Sequence, residues 1–112
     1  MKTLRPRRRL SKPTAKNRKL FESRAAIKAD LQAWVQGLEK LAGRHPEYEW
    51  PGHLLVLGDE LLVLIRERPK DAAAIRDFRA RAQMHSRTHK LNCLDEPIWL
   101  YVDSLEHLAG AA

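Results

Sequence analysis

The sequence predicts an all-α protein: a compact four-helix bundle with a long first helix, preceded by a basic, intrinsically flexible N-terminal arm. Three observations predict it. Apolar residues recur at spacings of three, four and seven through most of the chain, the period of one helix face. The breakers Gly43, Pro46 and Pro69 fall between those periodic stretches. The cationic residues crowd into the first quarter. With 112 residues, 44% of them hydrophobic, the chain has room for one packed domain and no second.

Residues 1–13 form the arm. Arg5, Arg7, Arg8, Arg9 and Lys12 repel one another, and Pro6 and Pro13 oppose a helix, so the stretch is expected to be disordered. A single helical domain, 14–112, follows. Its first helix is expected over about 14–42, where Leu20, Ile27, Leu31, Trp34, Val35, Leu38 and Leu41 fall within roughly 120° of one wheel. Ser11 or Thr14 can cap its start, and Gly43 with Pro46 ends it. Lys16, Arg18 and Lys19 continue the cationic surface onto this helix.

Residues 44–53 read as a loop in which Tyr48 and Trp50 plug the gap between two helices, with stacking on unpaired bases as the alternative. The next segment is ambiguous. As a helix over about 53–68 it is apolar except along one narrow face. As a hairpin, Gly58-Asp59 is a two-residue turn. Leucine outnumbers β-branched residues and Pro51 suits a helix start, so a helix is expected, at the centre of the bundle.

Pro69 separates this from a third helix over about 71–90, with Ile75, Phe78, Ala82, His85 and His89 turned inward. The fourth, over about 96–109, begins after Asp95 with Pro97 in its first turn, and buries Ile98, Val102, Leu105 and Ala109. Trp99 and Leu100 project from that stripe and are the candidates for docking onto protein partners or for self-association.

The charge distribution says more than its total of +7. Residues 1–28 hold eleven of the 21 Lys and Arg against one acid, Glu22, a net of +10. Residues 29–112 hold ten basic and thirteen acidic residues, a net of −3. A near-neutral domain with a cationic extension points to a polyanionic partner. Clustered guanidinium groups neutralise phosphates, release condensed counterions and make bidentate contacts that lysine does not. A second row lies on the third helix. Arg76, Arg79, Gln83, Arg87 and Lys90 fall within about 80° of one another, spaced to follow a phosphate backbone along a helix of ~30 Å.

Other chemistries are poorly represented. The sequence contains no GxGxxG, P-loop, nucleophile elbow or HExxH, and the acid pairs Asp59-Glu60 and Asp95-Glu96 diverge by about 100° on a helix. No catalysis and no cofactor are expected. His85, His89 and Cys93 stand at i, i+4 and i+8, a spacing that can ligate zinc. Without a CxxC partner or a fourth ligand they read as seam-filling residues, and no metal is expected. One cysteine excludes an internal disulfide framework and fits a reducing compartment. No leader-like or membrane-spanning apolar run is present, so a cytoplasmic protein is expected.

The sequence thus leads to a non-catalytic binder of RNA or DNA that holds the phosphate backbone. By analogy of architecture and charge alone, with no motif behind it, the chain is similar to small subunits of ribonucleoproteins such as CRISPR effector complexes or ribosomes. Two alternatives follow from the same residues. One is a plasmid or phage helix-turn-helix regulator whose third helix enters the major groove. The other is a small inhibitor or adaptor whose arm enters an acidic groove of a protein.

Overall fold

The computed structural model describes residues 19–110. It contains α1 (Arg24–Arg44), α2 (Trp50–Glu67), α3 (Ala72–His89) and α4 (Glu96–Gly110), with no strand among the described residues. The predicted four-helix, all-α class is the one observed. Each helix packs on two neighbours, in the ring order α1, α2, α3, α4 and back to α1. Contacts such as Glu60–Arg81, Arg79–Asp103 and Asp30–Tyr101 run in antiparallel register, so the bundle goes up, down, up, down.

The first helix begins later than expected, at Arg24. Ser23 is its cap: extended in backbone, it accepts a hydrogen bond through Oγ from the Ala26 amide at 3.1 Å. Just upstream, the Phe21 amide donates to Ser104 Oγ on α4, and the Phe21 ring lies 5.8 Å from that of Tyr101. These contacts carry residues 19–23 toward α4 as non-helical chain, and Leu20 is not part of the helical stripe. The proposed caps Ser11 and Thr14 lie outside the described residues, as does the whole arm. Downstream, Ile27, Leu31, Val35 and Leu38 are buried as the periodicity requires.

Residues 50–67 are one continuous helix, not a hairpin. It starts three residues before the expected position, with Pro51 in its first turn, where the missing amide hydrogen costs nothing. Gly58 is no turn residue. A Cβ there would lie 2.7 Å from Val35 Cγ2, so the glycine lets α1 and α2 approach closely. Nor is α2 central: it sits in the ring like the others and leaves Val56 and Val63 exposed. Asp71 caps α3 by accepting from the Ala74 amide. Lys90 ends it in a left-handed conformation, φ 55°.

The main core joins all four helices around Leu31, Leu61, Ile75, Phe78, Ile98, Val102 and Leu105. A smaller cluster of Leu38, Leu54 and Leu91, covered by Trp34 and Trp50, closes the end where the α1–α2 loop meets the α3–α4 turn. Trp50 therefore plugs that end as expected. Tyr48 does not: it is exposed and stacks on His45 at 5.0 Å and Trp50 at 6.2 Å. No helix among the described residues is long and apolar enough to cross a membrane.

Candidate nucleic-acid interface and the histidine cluster

Of the cationic residues singled out above, Arg5, Arg7, Arg8, Arg9, Lys12, Lys16 and Arg18 lie outside the described residues. Lys19 is exposed, at the start of the non-helical lead into α1. The remaining candidates sit on α3 and at its end, and the structure divides them into two groups.

Arg79 is already engaged. Its guanidinium donates to Asp103 at 2.5 Å and to both oxygens of Glu106 at 2.7 and 3.1 Å. The side chain is only 27% exposed. Hydrogen bonds to Glu106 and Asp103 raise its pKa, against the opposing effect of burial. It clasps α3 to α4 and is not a free cation beside its neighbours. A helical wheel shows that Arg79 shares a flank with Arg76, but not that this flank borders the acids of α4.

Arg76, Gln83, Arg87 and Lys90 are exposed, and the three cations among them form no ion pair with the described residues. At its lower end this flank opens into a cleft of about 500 Å³ between the end of α3 and the start of α4, lined by Ser86, Arg87, Lys90, Asn92 and Asp95. Ser86 Oγ is buried there without a hydrogen-bond partner among the described residues. Asp95, also buried, puts a carboxyl group in the same cleft. Arg87 and Lys90 therefore put positive charge on the rim of this cleft, while its floor is mixed in character.

Trp99 and Leu100 are half-buried, and Trp99 packs against the main core. Among the described residues, the exposed large apolar side chains lie elsewhere, at Tyr48, Val56, Val63, Met84 and Leu94.

On its other flank α3 faces α2. Arg81 bridges Asp77 at 2.9 Å and Glu60. Beyond it, His85 and His89 meet His53 from the first turn of α2. The rings of His53 and His89 stack at 3.7 Å and 13°, and the His85 ring lies 4.5 Å from that of His89. One ring nitrogen of each lies within 4.8 Å of the others. Desolvation, then the neighbours His53 and His85, lower the His89 pKa from its ordinary value, with Glu49 acting in the opposite sense. Cys93 is not in this group. It is exposed in the α3–α4 turn with φ 71°, so the helix does not continue through it and the i+8 alignment is broken. His53 was missed because the spacing was sought within one helix, and only the antiparallel pairing of α2 with α3 supplies it. The signal available in sequence was a histidine in the first turn of one helix and two in the last turns of the next.

Comparison of the chain with protein families, with curated proteins and with solved structures finds no match.

Proposed function

We propose that this chain is a non-catalytic nucleic-acid-binding protein that holds the phosphate backbone of RNA or DNA, as a small subunit of a larger nucleoprotein assembly. The observation that carries the reading is the charge asymmetry, a net of +10 in residues 1–28 ahead of a domain with a net of −3. The cations of the stretch 5–19 are its main contacts. Arg76, Arg87 and Lys90, free of ion pairs with described residues, extend the cationic surface along the outer flank of α3, with Gln83 as a neutral donor among them.

Two features favour backbone contact over base reading. A recognition helix presents base-reading side chains from its N-terminal turns, and α3 begins Ala72-Ala73-Ala74. The helices of a helix-turn-helix also cross at about 90–120°. Here α2 and α3 stay in antiparallel contact from Glu60–Arg81 to His53–His85.

The test is a salt series of binding isotherms with short RNA and DNA duplexes and single strands. The full chain should bind all of them with a steep salt dependence and little sequence preference. Deleting residues 2–12, which removes six Arg and Lys, should flatten the log–log slope by up to about 5, at roughly 0.7–0.9 for each phosphate no longer neutralised. Replacing Arg76 and Arg87 together by Glu should weaken binding further without lowering Tm. Isotherms that coincide with and without the deletion eliminate the N-terminal contacts. Failure to bind any polynucleotide at about 50 mM salt eliminates the function.

A further inference from the structure

We propose that His53, His85 and His89 bind one divalent transition-metal ion of the zinc class, tying the first turn of α2 to the last turn of α3. The site does not depend on the nucleic-acid reading.

Imidazole suits zinc, nickel, copper and cobalt, and three imidazoles with one further donor make a four-coordinate site. Metal–nitrogen bonds of about 2.0–2.1 Å place ligand nitrogens roughly 3.3 Å apart in a tetrahedron. Here the nitrogens lie within 4.8 Å, and side-chain rotations can close the remainder. Near the site α2 and α3 are already held together by Arg81 on Glu60 and by the core beneath them.

A hydrogen bond also sets up one of the ligands. His85 Nε2 lies 2.8 Å from the main-chain oxygen of His53. A carbonyl can only accept, so Nε2 donates to it, and in the neutral ring the lone pair left for a metal is on Nδ1. Metal-binding histidines commonly have their tautomer and ring orientation fixed in this way. A role in filling the seam needs only the shape of the rings. It gives no reason for three imidazoles to meet where protonating any two would make them repel. Glu49, one helical turn before His53, acts electrostatically on His89 and supplies negative charge at the rim.

The experiment is calorimetric titration of the tag-free, chelator-stripped full chain with Zn²⁺, repeated with Co²⁺ to follow its visible absorption. One equivalent should saturate the site and raise Tm. His85→Ala and His89→Gln should each weaken affinity by about 100-fold or more, since losing even an outer partner of a ligand costs about 10–100-fold. His107→Ala should leave affinity unchanged. Circular dichroism of the metal-free variants checks that they fold. Should His85→Ala fail that check, His89→Gln and the parent's histidine NMR spectrum decide. Zn²⁺ must then shift the ring resonances of His53, His85 and His89 and spare those of His45 and His107. Binding that does not saturate at one equivalent overturns the site, as do a folded His89→Gln variant that binds like the parent and shifts confined to His45 or His107.

Discussion

Between α1 and α2 the contact is apolar and close, and a glycine marks the point where Val35 and Trp34 press against the opposite backbone. Between α3 and α4, one guanidinium spans to two carboxylates, and a cleft lined by Ser86 and Asp95 opens further along the same seam. The first seam is specified by volume and punishes any change of size. The second is specified by charge and punishes a change of sign. The difference bears on function, because a cation that clasps a seam is not available to a ligand. Arg79 and Arg76 look equivalent on a helical wheel, yet of the two only Arg76 has no ion pair with the described residues.

The largest effect should come from the apolar side. Leu61, fully buried on α2, contributes to the core shared by all four helices. Leu61→Ala should lower unfolding free energy by about 2–5 kcal/mol, because the packed surroundings relax only partly around the lost volume. Urea unfolding measures it. A loss below about 1 kcal/mol means that the core collapses into the space and that size is not the specifying quantity there.

Gly58→Ala is the sharper probe. In an exposed helix the change is worth up to about 1 kcal/mol in favour of alanine. Here the new methyl meets Val35 Cγ2 at 2.7 Å, and a β-branched side chain has few rotamers with which to yield. Overpacking of this kind costs about 1–3 kcal/mol, so a net destabilisation is expected. If Gly58→Ala is instead stabilising, the α1–α2 seam is looser than its geometry implies. Val35→Ala should relieve the clash, so the double variant should lose less than the sum of the single losses.

On the charged seam, Arg79→Met keeps much of the apolar stem and removes the clasp, leaving Asp103 and Glu106 side by side. Both acids are more than half-buried, so about 1–2 kcal/mol of destabilisation is expected, well above that of a freely exposed pair. Arg76→Met should stay within about 0.5 kcal/mol of the parent. In nucleic-acid binding the order should reverse, with Arg76→Met weakening affinity and a folded Arg79→Met hardly changing it. Equal effects of the two in both measurements erase the distinction between clasp and contact.

The same contrast explains how much was legible in the sequence. Where a helix buries one stripe, period identifies most of it: Ile75, Phe78 and Ala82 on α3, Ile98, Val102 and Leu105 on α4 and the stripe from Ile27 to Leu38 follow from spacing, whereas the burial of Tyr101 and Ser104 does not. What period could not supply was the partner. Gly58-Asp59 fits a tight turn as well as a helix until Val35 is placed opposite. Arg79 is indistinguishable from Arg76 until α4 lies on one side of it, and His85 and His89 lack a third ring until His53 arrives from α2. The start of α1 was illegible for a related reason. Lys16 to Leu20 suits a helix locally, but Phe21 is bonded to α4 and Ser23 offers the cap, so tertiary contacts set the boundary.

A smaller effect than that of the Arg79 clasp is expected where the apolar and charged modes meet, at Tyr101. Its ring is buried between Phe21 and Trp34, while its hydroxyl donates to Asp30 Oδ2 at 2.5 Å. Burial, then the hydrogen bond to Asp30 and its charge, raise the phenol pKa above its ordinary value. The folded state therefore holds this proton more tightly than the unfolded chain does. The stabilisation is present in full below the ordinary phenol value of about 10 and is lost as pH rises through the raised folded value. Tyr101→Phe keeps the ring and removes the proton, so near neutral pH it should cost only about 1 kcal/mol, the worth of one hydrogen bond to a charged acceptor that solvent can partly replace. Between about pH 10 and 12 the parent should lose stability steeply and the variant less so, narrowing the gap between their unfolding curves. Parallel curves over that range would mean that the hydroxyl gains nothing from Asp30, and that the α1–α4 contact is held by the stacked rings alone.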